Sequence, residues 1–191
     1  QASDMSDLHY EYYRSSWDKL PEFDQIKHEA SGSVASDLFD LSLADRKTEF
    51  GFVFRGKLWV PESGDYTFWL DSDDGARLTL DREELLVHDG IHGLGSVKET
   101  TRSLTRGHHD IRLDYFQKLG GYGLRVEWAA KGAARHPLAI PDEQRARRML
   151  EDAIKEHGAR LLGKAKVEEY QRLSRSLPSI VEAPTEKPVL A

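Results

Sequence analysis

Hydrophobic and polar residues alternate through most of the first 130 positions of the chain. Successive side chains of an extended strand point to opposite faces, so this two-residue period predicts half-buried strands with one apolar face each. The runs that carry the period span residues 50–60, 66–70, 76–80, 111–115 and 124–128. Residues 8–13 predict a further strand, and residues 15–48 are predicted to form a long, less regular connection.

Turn-forming residues separate the predicted strands. They are Glu62-Ser63-Gly64, Asp73-Asp74-Gly75, Asp89-Gly90, Arg106-Gly107 and Gly120-Gly121. Short strands with turn signals at this spacing are typical of an antiparallel sandwich or barrel. The sequence therefore predicts a mainly β fold, an antiparallel β-sandwich or barrel, over residues 1–141.

The pattern becomes helical after Pro141. Apolar residues recur at steps of three and four between Ala146 and Leu161, and Pro178 ends the pattern. Such a stripe has to be buried against another surface. We expect a C-terminal helical extension over residues 142–178 that packs on the sandwich or on a neighbouring domain, followed by a linker over residues 179–191.

Composition excludes several functional classes. The 191 residues include 27 Lys and Arg against 33 Asp and Glu, a net charge of −6, which argues against nucleic acid as a partner. No apolar run reaches the 18 or so residues of a membrane helix, so we expect no membrane insertion. Cysteine is absent, which excludes disulfides and thiolate chemistry. The chain also has neither a nucleophile elbow nor a phosphate-binding loop.

Four segments, taken in order, resemble the PA14 domain, a β-sandwich module named after anthrax protective antigen. They read VPESGDYTFWLDSDDGARLTLD at 60–81, DGIHG at 89–93, LTRGHHDIRLDYF at 104–116 and GGYGLRVEW at 120–128. The resemblance covers about residues 8–141. It implies a module of the kind found in toxins, glycosidases, adhesins and bacterial surface proteins, whose lectin-like members bind glycans through calcium.

The end of the chain has a fainter resemblance. Glu169-Tyr170-Gln171-Arg172-Leu173, Pro178 and the final Pro188-Val189-Leu190-Ala191 look like linker sequence in large multidomain planctomycete proteins. This resemblance implies an accessory module excised from a larger extracytoplasmic protein, extracellular or periplasmic, with neighbouring domains as partners.

Three carboxylates fall within four residues, at Asp71, Asp73 and Asp74, in a predicted turn. Calcium prefers six to eight such oxygen ligands. In the lectin-like members two aspartates joined by a cis peptide hold calcium, which implies that Asp73 and Asp74 do so here, with glycan hydroxyls completing the coordination. Asp71 would support the turn. The alternative is a purely structural turn, because aspartates commonly accept hydrogen bonds from local backbone amides.

Three further residues are candidates for lining the cleft. The lectin-like members place an asparagine on a later loop, but this chain has no asparagine, and Gln117 occupies the matching loop. Lys118 beside it would repel a cation if it pointed inward. Tyr122 could stack against a sugar ring, or pack under its own loop. His92 could flank the ligand, or order its loop through a hydrogen bond.

Trp59 and Trp69 lie on the faces of their strands opposite the Phe-rich face. They could form a sugar-stacking face, or be covered by the helical tail. The leading hypothesis is a non-catalytic carbohydrate-binding module that is calcium-dependent through Asp73 and Asp74. The alternatives are a structural or protein-interaction module without a metal, and a regulatory or substrate-positioning insert of a larger enzyme.

Overall fold

The computed structural model describes residues 4–34 and 38–138, which form two antiparallel β-sheets around a shared core. The strands of this part of the chain are β1 (Met5–Arg14), β2 (Ala30–Ser33), β3 (Phe50–Val60), β4 (Gly64–Asp73), β5 (Ala76–Leu80), β6 (Glu83–His88), β7 (Lys98–Leu104), β8 (Gly107–Gln117), β9 (Gly123–Ala130) and β10 (His136–Pro137). One sheet has the order β2-β1-β3-β8-β5-β6 and the other has the order β10-β9-β4-β7.

Side chains of one parity from both sheets form the core. The buried members that the two-residue period singled out are Phe50, Phe52, Phe54, Leu58, Val60, Tyr66, Phe68, Leu70, Ala76, Leu78, Leu80, Ile111, Leu113, Tyr115, Val126 and Trp128. Burying apolar surface on both inner faces at once is the main stabilising contribution to such a sandwich. The predicted antiparallel β-sandwich is confirmed.

The long connection after β1 covers part of the outer face of the six-stranded sheet. We call residues 15–28 the strap. A short 3-10 helix at Phe23–Gln25 places Phe23 against Tyr13, Val53 and Phe116, which form a second buried cluster. Asp24 of the same helix forms ion pairs with arginines of β3 and β8. A segment without a periodic pattern is therefore fixed by one aromatic anchor and by charge.

Four strands, β2, β6, β7 and the two-residue β10, were not predicted from the alternation. β7 reads KETTRSL and is a mostly exposed edge strand, so neither of its faces needs an apolar series. β2 and β6 lie at the edges of the other sheet, and β2 reads ASGS. Edge strands are often short and polar, which protects them from pairing with other chains.

The predicted helical extension over residues 142–178, the linker over 179–191 and the segment resembling a planctomycete linker lie outside the described residues. Within residues 4–34 and 38–138, no helix is long and apolar enough to cross a membrane.

Candidate ligand-binding site

The turn that carries the three aspartates joins β4 to β5 at one end of the sandwich. The loop between β6 and β7 (residues 89–97) and the loop between β8 and β9 (residues 118–122) lie at the same end. We call this the loop end. The peptide bond between Asp73 and Asp74 is cis.

Asp74 anchors both loops with one carboxylate. The side chain is buried, with 2% of its surface exposed. Its Oδ1 accepts a hydrogen bond from the main-chain N–H of His92 at 3.0 Å, and its Oδ2 accepts one from the N–H of Lys118 at 2.9 Å. Asp71 adds a third anchor, because its Oδ1 accepts the N–H of Gly95 at 2.8 Å. Two of the three turn carboxylates therefore fix the surrounding main chain.

Gln117 closes the β8–β9 loop from inside the protein. Its side chain is fully buried. The amide Oε1 accepts the N–H of Asp74 at 3.1 Å, while Nε2 donates to the carbonyl oxygens of Leu119 at 2.9 Å and Gly121 at 2.7 Å. A carboxylate could not make these two donations. Gln117 therefore holds the loop and the turn together through its own amide.

Asp73 differs from its two neighbours in the turn. Its side chain is partly exposed, and no other described residue donates a hydrogen bond to its carboxylate. Its Oδ2 lies 3.8 Å from the point that a Cβ would occupy at Gly121, and no other heavy atom outside the neighbouring residues lies within 4 Å of that point, so the carboxylate lies beside the main chain of the β8–β9 loop. Partial burial and the nearby Asp74 carboxylate raise the pKa of Asp73 above its usual value.

A pair of histidines supports the β6–β7 loop. The rings of His88 and His92 are stacked with centroids 3.5 Å apart, and His92 Nε2 lies 3.3 Å from the carbonyl oxygen of His88. Burial, together with His92, lowers the pKa of His88. The only sequence signal for His88 was its shared parity with the buried Leu86.

The PA14 domain model matches residues 9–137, the greater part of the chain and nearly all of the described residues. The chain belongs to the PA14 domain family. No curated protein matched the chain.

Solved structures of similar fold include other PA14 domains. The PA14 domain of the MpAFP antifreeze protein has a TM-score of 0.59 and 18% identity, covering 70% of this chain and 87% of that one. The PA14 sugar-binding domain from an RTX adhesin has a TM-score of 0.51 and 20% identity, with coverages of 69% and 93%. The A domain of a subtype-switched epithelial adhesin from Candida glabrata, in complex with β-lactose, has a TM-score of 0.51 and 11% identity, with coverages of 70% and 85%. At these identities the likeness concerns the fold alone.

In this PA14 domain, hydrogen bonds link most of the predicted site residues around the turn. They join Asp71, Asp74 and Gln117 to the main chain of both loops, and His92 takes part through its main-chain N–H. Tyr122 stands at the rim with 41% of its surface exposed, and its ring meets Phe50 edge-on at 5.8 Å.

Lys118 does not direct an unpaired charge at the turn. Its ammonium forms an ion pair with Asp18 of the strap, while its main-chain N–H serves Asp74. The strap also reaches the other loop, because the N–H of Leu20 donates to Asp89 Oδ1 at 2.7 Å. These contacts of the strap had no signal in the sequence.

The two tryptophans lie away from the loop end and each has a partner. Trp59 packs against His108 with ring centroids 4.8 Å apart. Trp69 donates from Nε1 to Glu99 at 2.8 Å, and the Arg135 guanidinium lies 4.7 Å from the centre of its ring. The helical tail that was expected to cover them is outside the described residues.

The donors at the turn suit a hard cation, although they do not form a closed cage. Among the described residues, no three histidine or acidic side chains are grouped to hold a metal. Each Asp74 oxygen accepts one N–H and keeps a second lone pair, and the Asp73 carboxylate accepts none from the described residues. Two carboxylates on one side of a cation are compatible with calcium provided that other oxygens complete its coordination.

Proposed function

We propose that this PA14 domain is a non-catalytic carbohydrate-binding module whose site is the loop end, with calcium held by Asp73 and Asp74. One observation carries the proposal. The carboxylates of Asp71 and Asp74 accept main-chain N–H groups, whereas the Asp73 carboxylate is partly exposed, lacks a partner among the described residues and lies beside Gly121 of the β8–β9 loop.

The residues of the turn have separate roles in this proposal. Asp73 provides acceptor oxygens at the open side, and Asp74 adds oxygens while fixing the loops on either side. Gln117 holds the β8–β9 loop in place from below. Calcium, when bound, supplies positive charge that relieves the repulsion between the carboxylates and accepts vicinal sugar hydroxyls as ligands.

The family context supports a partner and a location for this proposal. A glycan or polysaccharide is supported by the similar sugar-binding domain of an RTX adhesin and the adhesin domain in complex with β-lactose. We therefore propose that the domain works as an accessory module of a larger extracellular or periplasmic protein, beside neighbouring domains of that protein.

A second candidate is a structural or protein-interaction module without a metal. It is favoured by the anchoring of both loops through main-chain amides to Asp71 and Asp74, which needs no ion. Under this alternative the turn only shapes the loop end.

Calcium titration during thermal unfolding separates the two candidates. A ligand that binds only the folded state adds about 2.7 kcal/mol when its concentration is 100 times Kd, so Tm should rise with calcium and not with magnesium. Asp73→Asn should abolish the rise. Asp110→Asn is the matched control, because this exposed aspartate pairs with Lys57 at the opposite end. An unchanged Tm at millimolar calcium would exclude the metal.

A glycan array tests the carbohydrate itself. We expect binding that is lost in Asp73→Asn and after chelation and kept in Asp110→Asn. Binding that survives chelation would support the carbohydrate-binding function and exclude the role of calcium in it. An array without any signal, together with an unchanged Tm, would favour the structural candidate.

A further inference from the structure

The dipeptide Asp-Gly occurs twice in the chain, and both copies lie at the loop end. One is Asp74-Gly75 in the β4–β5 turn, and the other is Asp89-Gly90 at the start of the β6–β7 loop. A side-chain carboxyl is most easily attacked by the next main-chain nitrogen when the next residue is glycine, because glycine has no Cβ to block the approach. The two copies share this chemistry, so their surroundings decide which of them reacts.

The surroundings of Asp74 protect it from this attack. Its side chain is 2% exposed, and its two oxygens accept the main-chain N–H groups of His92 and Lys118. The carboxyl would have to turn toward the nitrogen of Gly75, which breaks both hydrogen bonds and leaves two N–H groups without an acceptor. Asp74-Gly75 is therefore the protected copy.

Asp89 has the opposite arrangement. Its side chain is exposed, and the N–H of Gly90 donates to its Oδ1 at 2.7 Å, so the attacking nitrogen already lies close to the carboxyl carbon. The N–H of Leu20, in the strap, donates to the same oxygen at 2.7 Å. Within residues 4–34 and 38–138, no group donates a hydrogen bond to Oδ2. One oxygen is therefore held in place while the other is available to leave.

The contact with the strap favours the reaction. When the Gly90 nitrogen bonds to Cγ of Asp89, negative charge develops on Oδ1, and the Leu20 N–H already points at this oxygen. A donor placed in advance where charge develops stabilises the transition state. The space around Gly90 is also open, because nothing lies within 4 Å of the point that a Cβ would occupy there.

We propose that Asp89 is a site of spontaneous isoaspartate formation, and that its conversion detaches the strap from the β6–β7 loop. The Gly90 nitrogen bonds to Cγ of the protonated carboxyl, and the Oδ2 hydroxyl takes the amide proton and leaves as water. Water then adds to the main-chain carbonyl carbon of Asp89 in the five-membered imide. The bond from this carbon to the Gly90 nitrogen breaks, and the nitrogen regains a proton. The water lost in the first step is regained in the second, and no oxidant is needed.

The isomer changes the path of the chain at the start of the loop. The main chain of residue 89 then runs through Cβ and Cγ, so Oδ1 becomes a main-chain carbonyl oxygen and the free carboxylate is attached to Cα. The acceptor of the Leu20 N–H is displaced, whereas Phe23 and Asp24 keep their contacts with the sheet. Neither calcium nor a glycan takes part, so this inference is independent of the proposed function.

Comparing the two copies in one chain tests the proposal. The whole chain is incubated in mildly acidic buffer, with and without urea, and digested. Isoaspartate is then quantified in each peptide by enzymatic methylation, and the imide by a mass lower by one water. In the folded chain we expect Asp89 to convert about tenfold faster than Asp74, a difference of about 1.4 kcal/mol in activation free energy. In urea the two rates should be similar. Equal rates in the folded chain, or no conversion of Asp89, would overturn the proposal.

Two glycine substitutions test the route through the imide. Gly90→Ala places a Cβ on the attacking residue and should slow the conversion of Asp89. Its positive φ of 97° makes alanine strained there, but the surrounding space is open and the strain stays in the loop. Gly93→Ala is the matched control, because Gly93 lies in the same loop with equally open space and follows His92. An unchanged rate in Gly90→Ala would exclude attack by this nitrogen.

Hydrogen exchange tests the detachment of the strap. In the converted protein the amide of Leu20 should exchange faster, because its acceptor has moved. The amide of Asp110, which donates to Asp81 Oδ1, should exchange as before. Unchanged exchange at Leu20 after conversion would show that the strap stays in place and would overturn that part of the proposal.

Discussion

The two ends of the sandwich use aspartate in different ways. At the end opposite the loops, which we call the turn end, Asp81 and Arg82 form a two-residue turn with positive φ between β5 and β6. Both Asp81 oxygens have partners there: Oδ1 accepts the N–H of Asp110 at 2.9 Å, and Oδ2 lies 2.6 Å from Nδ1 of His109. At the loop end, Asp71 and Asp74 act in the same way, but Asp73 has no such partner among the described residues.

Under the proposed function, this difference separates stability from binding within one fold. Short connections with satisfied carboxylates close the sandwich at the turn end. The loop end has longer connections, exposed apolar side chains and one carboxylate available to a ligand. Exposed apolar surface of this kind often marks a binding site, which supports the proposed function.

The largest effect should come from the packing beneath the loop end. A Cβ at Gly75 would overlap the Phe116 ring, whereas nothing lies within 4 Å of a Cβ at Gly64 near the turn end. Gly75→Ala should therefore reduce the free energy of unfolding by about 3 kcal/mol, and Gly64→Ala should change it by about 0.5 kcal/mol at most. Urea unfolding measures both. Equal effects would show that the Phe116 ring moves aside freely.

The second-largest loss of stability should come from removing the carboxylate that anchors the loops. Asp74→Ala leaves the N–H groups of His92 and Lys118 without their acceptor, and we expect a loss of about 2–3 kcal/mol. Hydrogen exchange should accelerate at these two amides, while the amide of Asp110 at the turn end stays protected by Asp81. Unchanged protection at His92 and Lys118 would mean that the loops keep their positions without the carboxylate.

A smaller effect depends on pH and belongs to the turn end. Burial alone lowers the pKa of His109, but its hydrogen bonds to the Thr105 carbonyl and to Asp81 outweigh burial and raise the pKa above its ordinary value. The protonated form of His109 therefore stabilises the folded domain. This contribution is complete below pH 6.5, the ordinary pKa of a histidine, and is lost as the pH rises through the higher pKa of the folded state.

We expect the stability of the whole domain to fall across that interval. Thermal unfolding at a series of pH values measures the fall. His109→Gln should be less stable at low pH and nearly flat over the same interval. A slope that persists in this variant would assign the titration to another group.

The smallest stability effect should come from Asp73 itself. Its pKa is raised in the folded state, so ionisation opposes folding: the favourable contribution is present below the unfolded pKa and is lost as pH rises through the folded pKa. Asp73→Asn should therefore stabilise the metal-free protein by about 0.5 kcal/mol or less at pH 7 and have no effect near pH 3. Destabilisation at pH 7 would reveal a structural role for this carboxylate.

The sandwich could be predicted because its core follows the two-residue period. Phe52, Leu78 and Leu113 are buried in the positions that alternation assigned to them. The strap and β7 could not be predicted in this way, because one is fixed by a single aromatic residue and ion pairs and the other is exposed on both faces.

The sequence predicted only the part of the site that a short motif encodes. The grouping of Asp71, Asp73 and Asp74 is local in sequence, so the turn could be recognised. The exposed apolar side chains of the loop end, by contrast, lie on two loops that are far apart in the sequence, and Leu94 reaches Gly123, the cross-strand partner of Asp73, only through the packing of the strands. The role of Gln117 could not be predicted either. Its side-chain amide donates to the carbonyl oxygens of Leu119 and Gly121, and no pattern of side chains encodes the positions of these main-chain groups.

The anchoring by Asp74 has a consequence for how this domain can change its specificity. The carboxylate recognises the backbone at positions 92 and 118, so any residue other than proline can supply the same two hydrogen bonds. Side chains elsewhere in the loops can then be replaced without altering the path of the chain. A library that randomises residues 91, 94, 119 and 122 would explore new ligands on a scaffold whose loops are already fixed, and natural selection could use the same freedom.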